Sequence, residues 1–288
     1  MNGSAWPRAS RSPLARSRSF PSLASTPLAR RAARPYSPLM PDRVLLRYFD
    51  CLGRAQPIRN ALVDAGVAFE DQRITVGHSW HMLKEQADGG PFGSLPVLEW
   101  GDDCVAQALP IAGYLARRVG HYEGLDAMGI ARLEMVASVA YLDVIVELAM
   151  MLWVPTTVPD AEAATRFSNH EARILHKVDR LNRILASCGG PFFGGHRPAV
   201  ADFFVVEAID MTRAVLGERL DAALRRAPRL AEMRERLARR DAIARYVGEG
   251  KRPTRLTGSP NEAESLARIR RYVETANPVQ FQRSPRFR

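Results

Sequence analysis

Apolar residues repeat along the chain with two different periods, and the change from one to the other falls near Gly120. Val44-Leu45-Leu46-Arg47-Tyr48-Phe49 is short and rich in branched and aromatic residues, which predicts a buried strand. Pro57 opens a helical pattern through Ile58, Ala61, Leu62 and Ala65, and Gly66 stands where a helix C-cap belongs. Val67 to Ile74 is half apolar and predicts a second strand, and Trp80 to Gln86 a brief helical turn. Leu95 to Trp100, the turn Gly101-Asp102-Asp103, and Cys104 to Ala106 form a hairpin pattern, followed by an amphipathic helix from Leu109 to Val119. The order is β-α-β-α-β-β-α.

Beyond Gly120 the strand signals cease. Helical patterns run over about 126–152, 161–187, 200–216 and 228–239, with a short one near 241–247. Pro155, Pro159, the Gly189-Gly190-Pro191 and Gly194-Gly195 breaks and Pro228 separate them. From Lys251 the chain is polar, with one helical pattern from Glu262 to Thr275 and a basic, aromatic end. The expected architecture is a mixed α/β domain over 42–120 and an all-helical domain over 121–250. An extension, 1–41, and a basic, partly disordered tail, 251–288, flank them.

Charge changes this picture in one respect. The net charge of +10 suggests a nucleic-acid partner, but residues 1–41 carry +7 and residues 250–288 carry +6. The body between them is therefore about −3, and a basic groove on the folded part is not expected. No run approaches the ~18 apolar residues of a membrane span, since the most apolar stretch, Val144 to Val154, is short and carries Glu147. Cys51, Cys104 and Cys188 form no Cys-x-x-Cys and suit a reducing compartment, and no metal-ligand spacing is present.

Residues 1–41 are rich in Ser, Pro, Ala and Arg, lack hydrophobic periodicity and contain no acid, so disorder is expected there. Such a segment matches a mitochondrial transit peptide, if residues 1–39 belong to the natural protein. The alternative, preferred because the first strand begins just after it, is a natural start at Met40 and a cytoplasmic location.

Tyr48-Phe49-Asp50-Cys51-Leu52-Gly53-Arg54-Ala55 resembles the first strand and loop of the sigma-class glutathione transferases and their alpha, mu and pi relatives, which show a Tyr-Phe pair followed by Gly-Arg-Ala. Further segments resemble the same family in the same order. They are Glu70 to Ile74, the pair Trp80 and Lys84, Phe92-Gly93-Ser94-Leu95-Pro96-Val97-Leu98-Glu99, Gln107 to Leu115, and Pro198-Ala199-Val200-Ala201-Asp202-Phe203. The resemblance spans about 43–255 and implies a thioredoxin-like first domain, a helical-bundle second domain and a homodimer. It implies glutathione as co-substrate with no further cofactor and a small hydrophobic electrophile as second substrate; the charge distribution and the lack of a long apolar run argue against nucleic acid and membrane as partners.

The chemistry explains why such residues would be needed. A thiol with pKa near ~8.5 is mostly protonated at pH 7, and the thiolate is the nucleophile. A hydroxyl donating to the sulfur stabilises the anion by ~1.5–3 kcal/mol. The resemblance gives that role to Tyr48, near a helix N-terminus that favours the anion, with Arg54 adding positive field or holding the hydroxyl. It places Trp80 and Lys84 at the glycine end of glutathione and the backbone of Leu95 beside the cysteinyl amide. That geometry requires Pro96 in cis. Gln107 and the position of Ala108 meet the γ-glutamyl end, and Asp143 reaches across a dimer toward the partner's ligand. Leu52, Met150, Met151 and Trp153 stand near the expected electrophile pocket, though the last three serve equally as core.

Two departures stand out. The family has Ser where this chain has Ala108, and loss of that hydroxyl would weaken glutathione by ~1.5–3 kcal/mol, roughly 10- to 100-fold. Ala199 replaces the Ser or Thr that caps the helix beginning at 200, which costs about 1 kcal/mol. Two alternatives follow: a non-catalytic protein of transferase fold, or a thiol transferase using Cys51 as nucleophile.

Overall fold

The computed structural model describes residues 43–276, except Glu85, Ala87 and Asp88 and the side chains of His78 and Ser79. The extension 1–41 and the last residues of the tail lie outside the described residues. Strand β1 (Val44–Phe49) is central in a four-stranded sheet. It pairs in parallel with β2 (Glu70–Ile74) and antiparallel with β3 (Val97–Trp100), which pairs with β4 (Asp103–Ala106). Helices cover both faces, so Val44 to Tyr48 are all buried, and β1 reads as a continuous apolar run rather than an alternating one. Helices α1 (Gln56–Asp64), α2 (His78–Lys84) and α3 (Ala108–Arg118) complete the expected β-α-β-α-β-β-α order. The second strand is shorter than its pattern, because Val67 to Phe69 lead out of the turn at Gly66 and carry no ladder.

The second half is helical throughout: α4 (Ala127–Ala140), α5 (Val146–Leu152), α6 (Asp160–Ser187), α7 (Val200–Leu216), α8 (Glu218–Arg225), α9 (Pro228–Ala238) and α10 (Asp241–Gly248). A π-helical turn, Tyr141–Ile145, joins α4 to α5. The resulting run, Ala127–Leu152, is long and apolar enough to cross a membrane by length and composition, which corrects the expectation of no such run. Half of it is buried in the fold, so it satisfies that test as a core helix would.

Helix α7 is the axle of the molecule. It packs against α1 and α3 on one side and against α4, α9 and the π-helical turn on the other. Its start has half of a capping box. The fully buried Asp202 carboxylate accepts from the N–H of Ala199 at 2.8 Å and of Phe193 at 2.8 Å. Ala199 has no side-chain oxygen to complete the box, and its backbone carbonyl accepts from the Asp202 N–H at 3.0 Å instead. Burial pushes the Asp202 carboxyl up to about 6 despite those donors.

Over residues 251–276 the chain stays on the body. A strap over 251–261 crosses the first domain, and α11 (Glu262–Thr275), which coincides with its sequence pattern, packs against α6 and α7. Arg268 donates to the carbonyls of Pro155 (2.9 Å) and Val158 (2.6 Å). At the other end of α11, Arg219 donates to the Val273 carbonyl at 2.7 Å and pairs with the buried Glu171 at 2.8 Å. Tyr272 donates to the same carboxylate at 2.6 Å.

Candidate active site

Strand β1 ends at Tyr48 and Phe49, and the chain then folds back over the Tyr48 ring. The Tyr48 hydroxyl accepts from the Arg54 backbone N–H at 3.0 Å. Such an approach needs a glycine beside it: at Gly53, where φ is +42°, a Cβ would stand 2.6 Å from the hydroxyl. The Gly53-Arg54 pair is thus explained by the tyrosine it wraps. The Arg54 side chain is exposed, yet its charge still acts on Tyr48 and on Tyr141. Burial raises the Tyr48 phenol well above its ordinary value, and the proximity of Cys51 adds to this, against the Arg54 N–H and charge. The hydroxyl therefore keeps its own proton at neutral pH.

The sequence pattern missed Arg59. It lies on α1, is fully buried, and donates to both oxygens of Asp71 on β2 at 2.9 and 3.1 Å. It also donates to the carbonyls of Cys51 (2.9 Å) and Phe49 (3.3 Å), with its guanidinium 5.8 Å from the Tyr48 ring centre. One side chain thus ties α1, β2 and the loop after β1 together. An arginine among apolar neighbours on a helix destined for the core was the available signal, since a buried cation requires partners.

The other expected residues fall into two contact chains. Trp80 stands edge-on to Phe49, with ring centres 5.4 Å apart, which joins α2 to the end of β1. Lys84 ends α2, and its carbonyl lies against Gly93. The Leu95–Pro96 bond is cis, as the resemblance required. Gln107 donates through Nε2 to the Ser94 hydroxyl at 3.0 Å, and its backbone N–H donates to the Pro96 carbonyl at 3.1 Å. Gln107 is also the only non-glycine residue with positive φ among the described residues, at +76°. A strained backbone of this kind is tolerated where the surroundings over-determine it, commonly at ligand sites. It is the N-cap of α3 and makes no side-chain cap bond, so the first N–H groups of α3 are left without a side-chain acceptor. Ala108 follows at the helix start, 1% exposed.

Asp143 lies apart from these. It sits in the π-helical turn and pairs with Lys177 of its own chain at 2.8 Å. Met151 is core, whereas Met150 and Trp153 are more than half exposed. Cys51 is 1% exposed, and burial pushes its thiol up to about 12, which keeps it protonated and unreactive.

The strap closes over this loop. Leu52 and Gly53 donate their backbone N–H groups to the carbonyls of Arg255 (2.8 Å) and Leu256 (2.9 Å). Glu262 takes the N–H of Leu256 at 3.0 Å and the Thr257 hydroxyl at 3.0 Å. Gly258 passes so close to Val76 that a Cβ would meet its Cγ2 at 2.4 Å. The strap is anchored at its start by a bidentate pair, Arg252 to the buried Glu207 of α7, at 2.9 and 3.0 Å.

With this geometry the comparisons agree. Residues 45–117 match the glutathione S-transferase N-terminal domain, and residues 143–250 match the C-terminal domain of the same family. The chain is 29% identical over 214 residues to glutathione S-transferase alpha-3 of Rattus norvegicus, covering 73% of this chain and 91% of that protein. It is 40% identical over 81 residues to glutathione S-transferase 4 of Caenorhabditis elegans, across 28% of this chain and 37% of that one. The pi-class glutathione S-transferase of Onchocerca volvulus superposes with a TM-score of 0.62 at 24% identity, covering 76% of this chain and 98% of that structure. The chain belongs to the glutathione S-transferase family, a class of transferases, with the thioredoxin-like and helical domains that the sequence led one to expect. The strap and α11 lie beyond both matched segments.

Proposed function

We propose that this chain is a tyrosine-activated glutathione transferase, of the sigma-like group, that conjugates glutathione to hydrophobic electrophiles or isomerises or reduces substrates with the same thiolate. The observation that carries this reading is the bonding of the Tyr48 hydroxyl. It accepts from the Arg54 N–H and retains a proton to donate, and a thiolate placed before it would receive that proton in a hydrogen bond. Trp80 and Lys84 hold the glycine end of glutathione, the Leu95 backbone the cysteinyl amide, and Gln107 with the open N-terminus of α3 the γ-glutamyl carboxylate. No cofactor beyond glutathione is needed for this chemistry.

The test is the near-ultraviolet absorbance of the thiolate during a glutathione titration, run on the wild type and on Tyr48→Phe. A thiolate forming at least about one pH unit below the ordinary ~8.5 is expected in the wild type. The Phe variant should lose it, with activity down roughly 10- to 100-fold. Binding without a thiolate would remove Tyr48 from the mechanism. Failure to bind at millimolar glutathione would favour the second reading, a non-catalytic protein of the same fold, which Ala108 supports.

A homodimer is part of the proposal. Met128, Met135 and Leu142 are each at least half exposed and recur every seven residues along one helix face, and Phe92 is 73% exposed. An apolar stripe of that length on a monomer marks an association surface. Phe92→Asp should shift the mass measured by light scattering toward the monomer; an unchanged dimer would exclude Phe92 from the interface.

A further inference from the structure

The turn before β3 and the start of α3 are joined by one side-chain bond. Gln107 donates through Nε2 to the Ser94 hydroxyl at 3.0 Å, thirteen residues back along the chain. Ser94 itself is fixed from both sides. On one side Gly93 takes a φ of +55°, and a Cβ there would stand 3.0 Å from the Lys84 carbonyl at the end of α2. On the other side come Leu95 and the cis bond to Pro96, whose carbonyl accepts from the Gln107 N–H at 3.1 Å. The hydroxyl is therefore held beside the residue that caps α3, and Ser94 is half-buried rather than sealed in the core.

A hydroxyl has one proton to give and two lone pairs with which to accept. The Gln107 bond uses a lone pair. Among the described residues nothing accepts the Ser94 proton, which leaves it for solvent or a ligand.

The start of α3 is short of donors. Gln107 makes no side-chain cap bond, Ala108 has no polar side chain, and the third helical residue, Pro110, has no N–H. The Ile111 N–H already bonds the Gln107 carbonyl at 3.0 Å. An anion at this helix start would meet only the backbone N–H groups of Ala108 and Leu109. No acidic side chain of the first turn competes for them. A carboxylate offers about four lone-pair sites, so two amides leave it under-satisfied.

We propose that the Ser94 hydroxyl supplies the donor that Ala108 lacks. On the reading of this chain as a glutathione transferase, on which the inference rests, Ser94 donates to the α-carboxylate of the γ-glutamyl group. The Ala108 and Leu109 N–H groups are the other donors, and Gln107 holds Ser94 in place through Nε2. Recognition of that carboxylate thus passes from the first residue of α3 to the residue before the Leu95–Pro96 bond. The alanine at 108 and the Gln107–Ser94 bond are two parts of one rearrangement.

The test is a calorimetric titration of glutathione into the full chain, for the wild type, Ser94→Ala, Ala108→Ser and the double variant. Ser94→Ala should weaken glutathione roughly 10- to 100-fold, the range of a hydrogen bond to a charged group. Adding Ala108→Ser to that variant should restore about tenfold or more, whereas the same change in the wild type should gain less than about threefold. Equal gains in the two backgrounds would overturn the proposal, because the two hydroxyls would then not replace one another. The control ligand is γ-aminobutyryl-cysteinylglycine, which is glutathione without the α-carboxylate. It should bind the wild type and Ser94→Ala equally, a result that a merely structural role for Ser94 would not give. Equal weakening of both ligands, or wild-type affinity for glutathione in Ser94→Ala, would also overturn the proposal. So would binding that appears only once Ala108→Ser is made, and that outcome leaves the transferase reading in place. If none of the four chains binds glutathione, the transferase reading fails and this inference fails with it.

Discussion

The two ends of β1 are finished in opposite ways. At the Tyr48 end the chain turns back on itself and is then roofed by the strap. The N–H groups of Leu52, Gly53 and Arg54 each find an acceptor, in Arg255, Leu256 and the Tyr48 hydroxyl. At the Val44 end, Trp100 and His121 keep buried nitrogens without partners beside a cluster of arginines. The difference teaches where each end is complete. The Tyr48 loop is held in position by the protein's own bonds, and its hydroxyl is fixed by the Arg54 N–H. The opposite end carries polar groups that the protein does not satisfy.

The largest expected effect breaks the roof. Arg252→Ala leaves Glu207 fully buried in α7 without its bidentate partner, and removal of one member of such a pair costs about 3–5 kcal/mol. Denaturant unfolding should show that loss, and amide hydrogen exchange should show Leu52 and Gly53 opening before the sheet does. Protection of both amides at the wild-type level would mean the strap is held without its anchor.

The smaller effect sharpens the view of the other end. Burial lowers the His121 pKa below its ordinary 6.5, with Arg240 acting in the same direction and Asp64 against it. The unfolded chain therefore takes up the proton first as the pH falls. The stability that neutral His121 contributes is full above about 6.5 and is lost as the pH drops through the lower folded value. Arg117, Arg118, His196, Arg197 and Glu123 line the cleft beside it and set the field around it. Unfolding measured at pH 7.5, 6.5 and 5.5 should show a smaller decline in His121→Asn than in the wild type. Equal declines would place the effect elsewhere.

Much of this was legible in the residues. The strand Val44–Phe49, the hairpin from Val97 to Ala106 and the long helices follow from apolar period alone, because each buries the face its pattern marks. The short α8 was missed, since Gly217 reads as a helix end and here, at φ +50°, it both ends α7 and starts α8. The candidate site was legible where a residue type is demanded by geometry, as with Gly53 beside the Tyr48 hydroxyl or Ala199 without a cap. Arg59 was not, because a charged side chain on a helix reads as solvent-facing until its partners on β2 and the loop are known. The strap was least visible of all. Its bonds to Leu52 and Gly53 run between backbone groups some two hundred residues apart, and no side-chain pattern records them.

The π-helical turn between α4 and α5 has a consequence for phase. On an uninterrupted α-helix the residue seven places after Leu142 would continue the stripe of Met128, Met135 and Leu142. The next exposed apolar residue is instead Met150, eight places on. A π-helical turn accommodates one additional residue, and Tyr141–Ile145 supplies it where the count changes. The inserted residue thus acts as a spacer that resets the angular bookkeeping of the helix. Met128, Met135, Leu142 and Met150 are thereby kept on one stripe, about 33 Å from first to last at ~1.5 Å per residue.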